Sequence, residues 1–82
     1  MDIEAIREKI TPIFRDVLDR DDLILRDDLS ADQVEEWDSL SHTRLVVAIE
    51  KAFQIRFTNA EIAALGNVGE FVKLIATKLA MK

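Results

Sequence analysis

Ser39 lies between Asp38 and Leu40 in the run Glu35-Glu36-Trp37-Asp38-Ser39-Leu40. At this point an acidic, irregular stretch gives way to an amphipathic helical pattern. That junction leaves a hydroxyl at a helix N-terminus, where a modifying enzyme can reach it. The same Asp38-Ser39 pair also reads as an ordinary helix cap, because Asp and Ser are favoured there. His42, the single histidine, follows one turn later. A catalytic role for it requires a nucleophile and an orienting acid nearby in space. A histidine in a first helical turn is more often a surface residue, and that is the expectation here. Asp21-Asp22 and Asp27-Asp28 lack the spacing and the glycine of an EF-hand loop. The sequence has no zinc-ligand spacing, no glycine-rich phosphate loop and no arguable carboxylate pair. It also has no cysteine, so any thiol the protein uses must arrive on a prosthetic group.

The elements that position these residues follow from apolar spacing. Ile3, Ile6, Ile10, Phe14 and Val17 mark a helix from Asp2 to about Leu18. Pro12 lies inside it, where proline removes a hydrogen bond and crowds the preceding turn. The expectation is one kinked helix, and the alternative is a fresh start capped by Thr11. Residues 19–38 are dense in aspartate and form a long connection, often a sign of function in so small a domain. Ser30 and Gln33 have capping-box spacing for a short turn at about 31–35. A second helix is expected from Ser39 to about Phe53, capped by Asp38, with Leu45, Ile49 and Phe53 inside and Val46 beside them. Gln54-Ile55-Arg56-Phe57 alternates like an extended link. Thr58 and Glu61 cap a short helix through Leu65, which Gly66 should close. Asn67 and Glu70 precede a last helix striped by Val68, Phe71, Ile75 and Leu79. The sum is an all-α bundle of three main helices and one short one, in one domain over residues 1–82.

Charge narrows the function. The formal net charge is −5, which disfavours a nucleic-acid partner. Residues 1–38 hold 13 acidic and 5 basic side chains, a net of −8, whereas residues 39–82 hold 3 and 6, a net of +3. The acidic half ends at Ser39, so a basic partner is steered toward that junction. No apolar run approaches bilayer-spanning length. The N-terminus is acidic and amphipathic, unlike a secretory signal, and a cytoplasmic protein is expected.

Trp37-Asp38-Ser39-Leu40-Ser41-His42 resembles the Asp-Ser-Leu attachment motif of acyl carrier proteins. The likeness extends over nearly the whole chain. It takes in the first helix, the acidic connection, the run Leu45-Val46-Val47-Ala48-Ile49-Glu50-Lys51-Ala52-Phe53, the Ile55-Arg56-Phe57 link, the short capped helix and the last helix. It implies a carrier that catalyses nothing alone. Ser39, flanked by Asp38 and Leu40, would bear a 4′-phosphopantetheine arm taken from coenzyme A. The implied partners are a phosphopantetheinyl transferase, an acyl- or aminoacyl-loading ligase and downstream transferases, met by a monomer through the second helix and the preceding loop. Trp37, Arg44, Val47 and Glu50 are the candidate partner contacts, although Trp37 also reads as a packed brace between loop and helix. Leu45, Val46, Ile49, Ile62 and Phe71 line an acyl space in such a fold, or are simply core.

Two departures bear on pathway. Glu36 and Trp37 replace the more usual Gly-x before Asp-Ser-Leu. Arg44 and Lys51 stand where carriers of fatty-acid synthesis commonly have acidic residues. These point to a specialised carrier of secondary metabolism, cell-surface assembly or an unusual acyl group. The alternatives are a peptidyl or aminoacyl carrier, and an unmodified helical adaptor.

Overall fold

The computed structural model describes residues 2–82 as four α-helices: α1 (Ile3–Leu18), α2 (Ser39–Phe53), α3 (Asn59–Ala64) and α4 (Val68–Ala80), with a single 3₁₀ turn at Ala31–Gln33. Helix α1 runs unbroken through Pro12, so the fresh start at Thr11 does not occur. Thr11 instead donates its hydroxyl to the Arg7 carbonyl (2.7 Å), and Pro12 faces solvent. Asp2 caps the helix through the Ala5 amide (2.8 Å). Ile6, Ile10, Phe14 and Leu18 form its buried stripe, which meets Leu45, Ile49 and Phe53 of α2 and Val68, Phe71, Val72 and Ile75 of α4 in one core. Burying side chains of this size stabilises the fold by about 1.5–3 kcal/mol each.

The long connection is ordered because it satisfies the first turn of α4. The leading amides of a helix have no partner within it. Here Val68 N–H donates to the Leu29 carbonyl and Gly69 N–H to the Asp27 carbonyl, both at 2.9 Å. A side chain at Gly69 would place its Cβ 3.1 Å from the Asp27 carbonyl oxygen, so glycine permits this approach. Arg7 of α1 pairs with the Asp27 carboxylate, and Arg15 donates to the Leu23 carbonyl (2.9 Å). Leu23, Leu25, Leu29 and Val34 are thereby held in the core.

Helix ends differ from expectation at one place. Gly66 does not close α3 in a left-handed conformation, since no glycine has positive φ. The helix ends at Ala64, and Leu65 follows with extended backbone, which turns its side chain into the core at 6% exposure. The left-handed closures fall on Asp19 (φ 55°) and Gln54 (φ 56°), one after α1 and one after α2. Beyond Gln54, Ile55 and Phe57 are buried while Arg56 is exposed, as the alternating pattern predicts.

Candidate functional site

Helix α2 begins at Ser39 because Asp38 and Ser41 cap it reciprocally. The Asp38 carboxylate accepts from the Ser41 amide (2.9 Å), and the Ser41 hydroxyl accepts from the Asp38 amide (2.8 Å). The Ser41 hydroxyl also donates to the Glu36 carbonyl (2.8 Å). The amide bonds to the Asp38 carboxylate, that of Ser41 first, hold its carboxyl below the ordinary value, since hydrogen bonds to an ionised form favour it.

Two serines thus lie two residues apart with opposite roles. Ser41 is buried and its oxygen is committed to the cap. Ser39, the first residue of α2, is exposed, and its hydroxyl makes no hydrogen bond among the described residues; only its carbonyl is used, by the Thr43 hydroxyl (3.1 Å). Leu40 beside it is 63% exposed. A groove of about 430 Å³ starts at this point, lined by Ser39, Thr43, His42, Trp37, Ala31 and Leu65.

The floor of that groove is a three-part bridge that sequence reasoning missed. His42 is not a free surface residue. Its Nδ1 accepts from the Trp37 indole Nε1–H (3.1 Å), and its Nε2 lies 3.1 Å from the Ile62 carbonyl oxygen. The indole only donates and a carbonyl only accepts, so the ring is the neutral tautomer with its proton on Nε2. The ring lies nearly coplanar with Trp37 (centroids 6.3 Å apart, 19°), side by side as the hydrogen bond requires, and meets Phe71 edge-on (5.6 Å, 66°). Trp37 in turn makes an edge contact with Phe14 at 5.4 Å. His42 therefore links the loop before α2 to the backbone of α3. The five-residue spacing of Trp37 and His42 is no standard motif, and only their burial reveals the pair.

The remaining candidates separate. Trp37 is 4% exposed, which takes it off the surface as a partner contact and makes it the brace of the loop. The Glu50 carboxylate accepts from the Phe57 amide (2.8 Å), so it holds the link after α2 rather than standing free. Arg44 is exposed and Val47 is 43% exposed; both lie on the outer face of α2. Leu45, Val46, Ile49 and Phe71 are buried in the core with Ile62 packed against it. Among the described residues no three His, Cys, Asp or Glu side chains are grouped to hold a metal, and no helix is long and apolar enough to cross a membrane.

The site is thus a capped helix in a small bundle that presents one exposed, unbonded hydroxyl at its first residue. Residues 8–75 match the family model described as the phosphopantetheine attachment site. The chain is similar to the solution structure of a holo acyl carrier protein from Geobacter metallireducens, with 41% identity over 93% of this chain and 87% of that one and a TM-score of 0.87. A comparison with curated protein sequences returned no match. The chain belongs to the acyl carrier protein family, whose members carry the phosphopantetheine attachment site. It is accordingly a carrier rather than an enzyme, bears a covalently attached 4′-phosphopantetheine and works through partner enzymes.

Proposed function

We propose that Ser39 is the residue that bears the arm, and that residues 1–82 act as one monomeric cytoplasmic carrier domain. The observation that carries this reading is the contrast between the exposed, unbonded Ser39 hydroxyl and the buried, doubly engaged hydroxyl of Ser41. In the attachment step the Ser39 oxygen attacks a phosphorus of the coenzyme A pyrophosphate. The new O–P bond replaces the bridging P–O bond, the adenosine bisphosphate half leaves, and the hydroxyl proton passes to a base of the transferase. Asp38 and Ser41 fix the helix start, so Ser39 is presented without local rearrangement. The surroundings fit the group: the groove beside Ser39 offers the Leu65 side chain and the Trp37–His42 pair along one path. When bound, the arm supplies a terminal thiol that carries an acyl group as a thioester.

The cargo pathway we favour is a specialised one rather than primary fatty-acid synthesis. The support is Arg44 and Lys51, both exposed at positions where the resemblance leads one to expect acid. Replacing the standard carrier by this chain in a reconstituted fatty-acid synthesis should leave elongation poor; full turnover would remove this part of the reading.

The attachment is tested by intact mass before and after incubation with coenzyme A, magnesium and a broad-specificity phosphopantetheinyl transferase. Wild type should gain one phosphopantetheine and Ser39→Ala none, while Ser41→Ala still gains it. Modification of Ser39→Ala would move the site elsewhere. No gain in folded wild type, with a control carrier modified, would favour an unmodified adaptor.

A further inference from the structure

The outer face of α2 is a single stripe in which apolar and basic side chains alternate. Leu40, Arg44, Val47 and Lys51 follow one another at four, three and four residues, the spacing of one helix face. All four are exposed, and Leu40 and Val47 belong to the few large apolar side chains the fold leaves in water, at 63% and 43%. Arg56, in the link after α2, extends the stripe, because it lines a hollow of about 430 Å³ together with Val47 and Lys51.

The charges on this stripe are uncommitted. In the first half of the chain Arg7, Arg20 and Arg26 are each held in ion pairs with Asp or Glu, and Arg15 holds a loop carbonyl. Arg44, Lys51 and Arg56 make neither an ion pair nor a side-chain hydrogen bond among the described residues. Glu50, the one acid of α2, lines the same hollow as Val47, Lys51 and Arg56, with its carboxylate engaged by the Phe57 amide. Three unpaired cations thus frame two exposed apolar side chains immediately beyond Ser39.

We propose that this stripe docks a partner enzyme whose surface carries an apolar hollow for Leu40 and Val47 rimmed by carboxylates that meet Arg44, Lys51 and Arg56. The inference rests on the carrier reading and names the chemistry of its partner. Arg44 and Lys51 are seven residues apart, so the facing carboxylates are spaced by about 10 Å, at 1.5 Å of rise per residue. The apolar pair supplies contact area, and the cations set orientation and exclude enzymes whose docking faces are basic.

The test uses wild type and R44E/K51E, both first converted to the holo form and checked by intact mass and helical circular dichroism. Each is offered as acyl acceptor to a fatty-acid-synthesis acyltransferase with a basic docking face, and to a variant of that enzyme with those bases changed to Glu. Wild type should show a kcat/KM about 3- to 10-fold higher on the acid-faced enzyme, mainly through KM, as expected for two rim charges. R44E/K51E should reverse the preference. On the basic-faced enzyme, added salt should raise the wild-type rate and lower that of the variant. Equal behaviour of the two carriers, or a wild-type rate that falls with salt on the basic-faced enzyme, overturns the proposal. Failure of the carrier reading is separately visible, as absence of the phosphopantetheine mass on folded wild type, and would remove the proposal with it.

Discussion

His42 is expected to be the most sensitive polar residue of the fold, although it neither carries the arm nor lies in the apolar core. Truncation to alanine removes the acceptor of the Trp37 indole N–H. Trp37 is 4% exposed, so that donor is left buried without a partner, which costs about 1–3 kcal/mol. The ring's edge contact with Phe71 is lost as well, at about 0.5–1.5 kcal/mol for an aromatic pair. His42→Ala should therefore destabilise by roughly 2–4 kcal/mol. For a chain of this length total stability is on the order of 4–12 kcal/mol, and the melting temperature should fall by about 10–25 °C.

His42→Phe separates the two contributions, because it keeps a ring and loses both hydrogen bonds. It should retain the packing share and still lose about 1–3 kcal/mol. Denaturant melts followed at once by circular dichroism and by fluorescence of Trp37, the single tryptophan, measure both variants against wild type. Heteronuclear NMR of the ring nitrogens reads the tautomer directly. A His42→Phe variant that melts with wild type, or a ring proton found on Nδ1, refutes the bridge.

Ser41→Ala should destabilise by about 1–2 kcal/mol through loss of its bonds to the Glu36 carbonyl and the Asp38 amide, measured by the same melts, and should slow transfer of the arm to Ser39 without abolishing it. Gln54→Gly should stabilise by about 1 kcal/mol, because glycine adopts the left-handed backbone at φ 56° without a Cβ clash; an unchanged or lower melting temperature counts against the assignment of that closure. The Asp38 carboxyl titrates below its ordinary value of 3.8. Its contribution is present above that value and is lost as pH falls through the lower folded value. Asp38→Asn, which can still accept the Ser41 amide, should remove that part of the acid limb from a stability-against-pH profile and leave the neutral-pH helix content unchanged.

The helices were legible in the sequence because their signals are local. The 3.6-residue spacing of Ile6, Ile10 and Phe14, and the caps at Asp38, Thr58 and Asn67, each act within a turn or two. The closure of α3 was misread because Leu65 answers to the core and not to the chain: burying its side chain fixes an extended backbone and leaves Gly66 no left-handed role. Trp37 is the packed brace that one reading of the sequence expects, but its partner His42, expected at the surface, and the bond of Glu50 to the Phe57 amide were not legible, for a related reason. Each has a polar atom whose partner, or a ring whose neighbours, lie elsewhere in the sequence, as with Ile62, twenty residues after His42. Ser39 stands out in the sequence through its neighbours Asp38 and Leu40, whereas the commitment of the Ser41 hydroxyl to the Glu36 carbonyl and the Asp38 amide is a matter of geometry, which spacing does not encode.

The four helices differ in what holds them. Helices α1, α2 and α4 each bury at least four side chains, so displacing any of them exposes apolar surface worth several kcal/mol. Helix α3 has six residues and no buried side chain, and a helix so short has little stability of its own. It is held from outside by the His42 contact with the Ile62 carbonyl, by the Lys78–Glu61 ion pair (2.8 Å), and by Leu65 anchored at its end. Leu65 borders both the groove at Ser39 and a second hollow between α3 and α4, lined by Glu61, Ala64, Leu74 and Thr77. Moving α3 therefore breaks two polar contacts and shifts Leu65 and the partly buried Ile62, whereas the cap that presents Ser39 stays tied to α2. Local opening is expected where the least surface is buried, and of the four helices that is α3, which His42 holds beside Ser39.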